Sequence, residues 1–304
     1  MDIFKHWQGL DPSSRGASAA MGNFDGVHLG HRAVIDAARG HGPLAVVTFE
    51  PHPREYFAPG SPAFRLMNAE ARTNRLAKLG VERLFELPFD EVLATLSPEA
   101  FVAGILHRGL GLAHVVVGAD FRFGHGRTGT AADLTRLGAR DGIAVTVAPL
   151  LIHADRPVSS TAIREALTAG DPRRAAAMLG HWHRIEGAVI HGEKRGRELG
   201  FPTANMDLTG LHLPRFGVYA TWVDVLTGPQ AGRYRGAASL GIRPMFGVNT
   251  PNLETYLLDF KGDLYGQHLS VALVEFLRPE AVFTGLPALI AQMEADVARV
   301  RDLL

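Results

Sequence analysis

Two histidines, His28 and His31, flank Gly30 within the stretch Met21 to Arg32, MGNFDGVHLGHR. A short apolar run, Ala17 to Ala20, precedes them. The chain then turns through Gly22, Asn23 and Gly26 and enters a helical pattern at about Leu29. A strand, a tight glycine turn and a helix start leave free backbone N–H groups and the positive end of a helix dipole, a setting for an anion. The imidazoles add donors that can follow charge as it builds on a phosphate. No Lys-Ser or Lys-Thr follows, so this is not a P-loop. A zinc pair would need further ligands, and the chain has no cysteine to supply them.

A second chemical stretch is Gly192 to Asn205, GEKRGRELGFPTAN. Gly192, Lys194, Gly196, Arg197 and Gly200 combine pliable backbone with positive charge and can wrap a polyphosphate; a solvated basic hairpin has the same composition. Past Pro202, Thr203 and Asn205 offer neutral oxygens, which suit Mg²⁺ shared with phosphate. Downstream, Glu254 heads the segment ETYLLDF. A glutamate there can take the proton of a primary hydroxyl attacking a γ-phosphate, although a lone Glu is more often a surface residue.

These groups need elements to hold them. After a helix over roughly Leu29 to Arg39, Pro43 to Phe49 is a continuous apolar run and reads as a buried parallel strand. It ends in Glu50-Pro51-His52-Pro53-Arg54, where two prolines predict a rigid loop. Helices are expected over Asn68–Leu79 and from Ser97 to about Arg108, and strands at Val81–Leu87 and His114–Gly118. The alternation predicts a parallel, doubly wound α/β domain. The loop Gly118 to Gly124, GADFRFG, carries Asp120, Phe121 and Phe123; on composition the two rings either cover a flat ligand or pack inward. Gly124 to Gly129 matches G-x-G-x-x-G, but no strand precedes it directly and no acid ends the strand near Ile143–Ala148, so a nicotinamide cofactor is rejected. Ser159 or Ser160 caps a helix to Ala169, with Thr161 and Arg164 in or near its first turn. A second helix runs from Pro172 to Leu179. Beyond Gly180 the pattern becomes short alternating runs (Arg184–His191, Gly217–Val225, Tyr234–Ser239, Glu254–Phe260, Leu269–Leu277) and predicts an antiparallel β-barrel or sandwich. A final amphipathic helix spans Gly285 to Leu304. The domains are expected at 1–180 and 181–304.

The 304 residues suit two domains. Lys plus Arg and Asp plus Glu are both 31, and this zero net charge argues against a general nucleic-acid partner. The N-terminus has no signal-peptide pattern and no run approaches a membrane span, so a cytoplasmic protein is expected, with no membrane partner.

The string GNFDGVHLGHR resembles the HxGH nucleotidyltransferases, in particular the FAD synthetase branch. TFEPHP, GADFRFG and SSTAIR are similar to later motifs of the same family. GRELGFPTAN, GVYA, ETYLLDF and DLYG, in that order, resemble a riboflavin kinase domain. The resemblance spans nearly the whole chain and points to the prokaryotic bifunctional riboflavin kinase/FMN adenylyltransferases. It implies a Rossmann-like N-terminal domain, a C-terminal β-barrel, ATP as co-substrate, riboflavin and FMN as substrates, FMN and FAD as products, and Mg²⁺. It assigns the α-phosphate to His28 and His31. Gly22, Asn23, Phe24, Asp120, Ser160, Thr161 and Arg164 are implied to hold ATP or pyrophosphate, and His52, Pro53, Phe121 and Phe123 the flavin. In the kinase half it implies nucleotide contacts at Gly192, Lys194, Gly196, Arg197, Gly200 and Pro202, Mg²⁺ at Thr203 and Asn205, and Glu254 as base. Where the family reads near N-I-G-x-R-P-T, this chain has Ser239 to Met245, SLGIRPM, losing an amide at 239 and a hydroxyl at 245. A nucleotidyltransferase for another mononucleotide or for phosphopantetheine, and a flavin- or nucleotide-binding regulator without turnover, are the competing readings. A homo-oligomer is left open.

Overall fold

The computed structural model describes residues 1–153, 156–191, 199–245 and 248–304. They form two compact units, Met1–Pro62 with Arg72–Val158, and Ala63–Ala71 with Ser159–Leu304.

The first unit holds β1 (Asp2–Phe4), β2 (Ser18–Met21), β3 (Leu44–Glu50), β4 (Arg83–Pro88) and β5 (His114–Gly118). A two-residue hairpin pairs β6 (Arg122–Phe123) with β7 (Gly129–Thr130), and β8 (Ala144–Ala148) completes the main sheet. Its order is β1-β4-β3-β2-β5-β8, all parallel. The apolar runs explain this: Ala45, Val46, Val47, Val115, Val116 and Val117 are wholly buried, as strands covered on both faces must be. From β2 the chain winds outward through β3 and β4, then returns to lay β5 on the other side. The order therefore reverses between β2 and β5, where open α/β sheets bind ligands beyond the strands' C-terminal ends. The G-x-G-x-x-G match lies in the β6–β7 hairpin, with Gly124 and Gly126 at positive φ, and opens no nucleotide-binding helix.

The helices are α1 (Leu29–Ala37), α2 (Pro53–Phe57), α3 (Ala69–Lys78), α4 (Glu91–Ala94), α5 (Pro98–Ala100) and α6 (Ala131–Arg140). Past α5 the expected helix continues as a π-helix, Phe101–Gly109, with Phe101, Val102, Ile105 and Leu106 buried. The expected loop after β3 is corrected. Pro53 occupies the first turn of α2, where its missing N–H costs nothing, and His52 and Glu55 form a capping box.

A short hairpin of β9 (Ile152–His153) and β10 (Arg156–Pro157) precedes α7 (Ser160–Thr168) and α8 (Pro172–Leu179). Ser159 is the N-cap of α7. By its contacts the second unit begins its main run at Ser159, because α8 packs on the second sheet and α7 on α8. That sheet contains β11 (His183–Ala188), β12 (Thr203–Asp207), β13 (Gly217–Val225), β14 (Gly232–Met245), β15 (Val248–Leu257) and β16 (His268–Arg278). All pairs are antiparallel, in the order β11-β16-β13-β14-β15-β12. Just past β11, Ile190 N–H donates to the carbonyl of Asn205 on β12 at 2.9 Å, linking the two edges. β12 was not expected, and Glu254 lies inside β15 rather than at a strand start. The helix α9 (Leu286–Leu303) covers one face, with Val297, Val300 and Leu303 on Ala220, Ala237 and Tyr256.

Residues 63–71 are stitched into this second unit. His212 N–H donates to Arg65 O at 2.7 Å, Asn68 Nδ2 to Glu186 O at 2.8 Å, and His268 Nδ1 meets Glu70 Oε1 at 2.7 Å.

His183 is 3% exposed, and burial beside His181 and His212 pushes its imidazole down to about 3. The unfolded chain binds this proton near 6.5, so the neutral buried form contributes stability at neutral pH that is lost as pH falls below 6.5. Unfolding free energy is expected to fall by up to ~1.4 kcal/mol per pH unit from this group. Denaturant melts at pH 7 and pH 5 check it, and His183→Asn is expected to flatten the dependence.

Candidate functional site

In the first unit the site grows from the β2–α1 connection. Phe24 and Val27 take positive φ (52° and 42°), uncommon for non-glycine residues and for a β-branched one a true strain. Both side chains are 1% exposed, and this burial fixes the turn. His28 becomes the N-cap of α1: its Nδ1 accepts the N–H of His31 at 3.2 Å. A ring that accepts at Nδ1 carries its neutral-form proton on Nε2, so Nε2 is the donor it can offer. The His28 and His31 rings stack at 3.6 Å and 13°. His31 Nδ1 is buried with no hydrogen-bond partner, and burial next to His28 holds this imidazole well below its ordinary range, hence neutral at pH 7. Gly30 leaves room for the His28 ring: a Cβ there would stand 3.1 Å from it, and the ring would have to give by a few tenths of an ångström.

Gly22 N–H donates to Val47 O, and the Asn23 carbonyl accepts from Thr48 Oγ1 at 3.2 Å, which ties the turn to β3. Asp120 is exposed at the end of β5, across the reversal point. Phe123 is 6% exposed and packs in the core against Phe101 and Phe121. Phe123 packs inward, one of the two placements the loop composition allows, and half-buried Phe121 packs against the same core. His52 caps α2, accepting Arg54 N–H at 3.1 Å. Exposed Tyr56 and Phe57 (63% exposed) follow it and pack edge to face with half-buried Phe89 within 5.6 Å, beyond the ends of β3 and β4. Two prolines masked this helix in the sequence. Glu50 is bound by buried Arg72 at 2.9 Å, which also binds Glu86 at 2.7 Å.

Ser160, Thr161 and Arg164 belong to the second unit. Ser160 and Thr161 open α7, and Arg164 Nε donates to Phe64 O at 2.6 Å with its guanidinium over the Phe64 ring.

The other site lies on the second sheet. Alternation puts Leu253, Leu240 and Met206 into the core and Asn252, Glu254, Tyr256, Ser239, Thr203 and Asn205 on the opposite face. Glu254 is flanked directly by Asn205 on β12 and Ser239 on β14. With α9 this face bounds a cavity of about 330 Å³, lined among others by Phe201, Thr203, Ser239, Glu254, Tyr256 and Phe283. Phe201, Tyr256 and Phe283 offer aromatic surface for a flat heteroaromatic ligand, beside the polar groups of Thr203, Ser239, Asn252 and Glu254. Arg278 fastens the cavity wall, binding Asp296 of α9 at 3.0 Å through Nε and 2.8 Å through Nη2. Glu254 and Asn205 are 9% and 8% exposed. Gly200 has positive φ and open space around it, and Pro202 immediately precedes β12. Gly192, Lys194, Gly196 and Arg197 lie outside the described residues, as does the Met245 side chain. Sequence reasoning missed Asn252, whose i, i+2 spacing to Glu254 was the available signal, and the Arg278–Asp296 pair, for which none existed.

A helix start at a sheet reversal, and on a second sheet a carboxylate beside neutral oxygens, are arrangements suited to the chemistry of phosphate transfer. The comparisons sharpen this reading. The FAD synthetase family matches residues 10–162 and the riboflavin kinase family residues 179–304. A bifunctional riboflavin kinase/FMN adenylyltransferase from Pseudomonas fluorescens is 40% identical over 100% of this chain and 98% of its own. One from Escherichia coli K12 is 37% identical over 94% and 92%. A solved structure described as a macrolide-efflux protein from Streptococcus pneumoniae has a TM-score of 0.83 at 29% identity, covering 98% of both chains. Among the described residues no helix is long and apolar enough to cross a membrane. The chain belongs to the bifunctional riboflavin kinase/FMN adenylyltransferase family, and it is an enzyme.

Gly30→Ala is expected to keep or raise thermal stability, since alanine favours a helix by about 1 kcal/mol over glycine. By displacing the His28 ring it is expected to lower FAD formation from FMN at least tenfold. A melting curve and an FMN-to-FAD assay on the same sample check both.

Proposed function

We propose that the family's two reactions divide between the two units, with the parallel-sheet unit adenylylating FMN and the antiparallel unit phosphorylating riboflavin. The observation that carries the division is that the first unit holds His28 and His31 at the start of α1, while the sheet of the second holds Glu254 directly opposite Asn205. In the kinase reaction Glu254 takes the proton of the riboflavin primary hydroxyl as its oxygen attacks the ATP γ-phosphorus, giving FMN and ADP. The cavity walls hold the flavin ring. Thr203 and Asn205 would hold Mg²⁺, which supplies charge neutralisation at the phosphates. The fit rests on their neutral oxygens beside a buried carboxylate, and among the described residues no cluster of three His, Asp or Glu forms a full protein cage.

In the adenylyl reaction an FMN phosphate oxygen attacks the ATP α-phosphorus and pyrophosphate leaves. His28, donating from Nε2, and the neutral His31 stabilise charge on the α-phosphate with the α1 N-terminus. Gly22, Asn23, Phe24 and Asp120 border the nucleotide. Phe57 and Tyr56, rather than Phe123, offer the flavin an exposed aromatic surface next to His52 and Pro53.

Riboflavin, ATP and Mg²⁺ incubated with the protein and followed by chromatography are expected to yield FMN, then FAD. His28→Ala is expected to lower FAD formation by about 10²-fold or more while FMN still accumulates. Glu254→Gln is expected to do the reverse, with supplied FMN still converted. Loss of both activities in either folded variant overturns the division. Phe57→Ala is expected to raise the KM for FMN several-fold in the adenylyl assay and leave riboflavin phosphorylation unchanged.

A further inference from the structure

We propose that Asn252 is a positioning residue of the kinase site, holding the Glu254 carboxylate and the Asn205 carbonyl in one fixed relation through a single carboxamide. The proposal rests on the reading of Glu254 as base and Asn205 as cation ligand. Asn252 Nδ2 donates to Glu254 Oε1 at 3.0 Å and to Asn205 Oδ1 at 3.3 Å. The polarity of this arrangement follows from chemistry alone. A carboxylate only accepts, so the amino end of Asn252 must face Glu254. That amino group has a second hydrogen, and its acceptor on Asn205 must be the carbonyl oxygen. Asn205 is held from its other end as well, its Nδ2 lying 3.4 Å from Thr203 O. Asn205 Oδ1 is thus oriented with one lone pair committed to Asn252 and the other left for a cation.

The three side chains share one sheet face. Asn252 and Glu254 are two apart on β15, and Asn205 is directly opposite Glu254 on β12. Water is a poor substitute for the Asn252 donor, because Glu254 and Asn205 are nearly buried. The other charged groups lining the cavity are Arg278, Glu280 and Asp296, and Arg278 is committed to Asp296. Truncating Asn252 would remove one of the contacts that orient the Glu254 carboxylate, and a displacement of about 1 Å at a reacting group costs on the order of 10²-fold in rate.

The test uses the full-length protein, with FAD formation from supplied FMN as an internal measure of folding. Asn252→Ala is expected to lower kcat for FMN formation by about 10- to 100-fold, with the KM values for riboflavin and ATP changed less than about threefold. The isosteric Asn252→Asp places a second carboxylate beside the base and is expected to be at least as impaired. If both variants keep kcat within threefold while Glu254→Gln abolishes FMN formation, the positioning role is overturned and the base assignment stands. A fall in kcat that Asn252→Asp rescues marks a packing role and also overturns it, as does a loss that appears in the KM values rather than in kcat. If Glu254→Gln itself retains FMN formation, the base assignment fails and the proposal falls with it.

Discussion

Side chains along a strand alternate between the two faces of its sheet, and the kinase half depends on that two-residue period. On β15, Leu253, Thr255 and Leu257 enter the core while Asn252, Glu254 and Tyr256 face the cavity. The partner strands keep the same phase: Ala204 and Met206 go in, Thr203 and Asn205 out; Ala238 and Leu240 go in, Ala237 and Ser239 out. A slip of one residue would bury the carboxylate and expose the leucines, so apolar burial enforces the register that the chemistry needs. Leu240, Leu253 and Met206 are completely buried, each contributing about 1.5–3 kcal/mol toward holding that register. Ser239 stands beside Glu254 on this face, so the family's missing amide at that position is a change inside the cavity wall.

The parallel unit solves its problem with backbone conformation. Between Met21 and His28 the chain must leave a buried strand and present a helix start to the reversal point of the sheet. Two buried non-glycine residues at positive φ, costing roughly 1–3 kcal/mol each, make the turn tight enough. The surrounding core holds them there. The result is a histidine that caps its own helix and stacks on a second, neutral histidine, so both rings are oriented before any substrate arrives.

Much of this was legible in the sequence where local rules act. β5 and β13 match their expected ranges to the residue, each closed or opened by glycine, and the starts of α1, α7 and α8 follow from cap residues and Pro172. What failed needed tertiary information. The prolines of EPHPR hid a helix because only the capping by His52 and Glu55 makes Pro53 its first turn. β12 is short and follows a glycine-rich basic stretch, so its alternation had too few residues to register. Phe123 reads as a binding-loop aromatic until the core behind it is seen. Asn252 lay in plain view two positions before Glu254, but its partner Asn205 is distant in sequence and meets it only through the register of β12 and β15.

The placement of residues 63–71 bears on how such a chain arises and persists. The polypeptide enters the second unit at 63, returns to the first at 72, and crosses again at 159. Asn68 and Glu70 satisfy groups on β11 and β16 from a position encoded inside the other half. A gene split between 158 and 159 would therefore strip the second sheet of partners it uses and leave the first product carrying a segment that belongs elsewhere. Fission into two single-activity genes would require rebuilding that strip, so the interleaved construction itself favours one polypeptide and equal numbers of the two catalytic centres in every molecule.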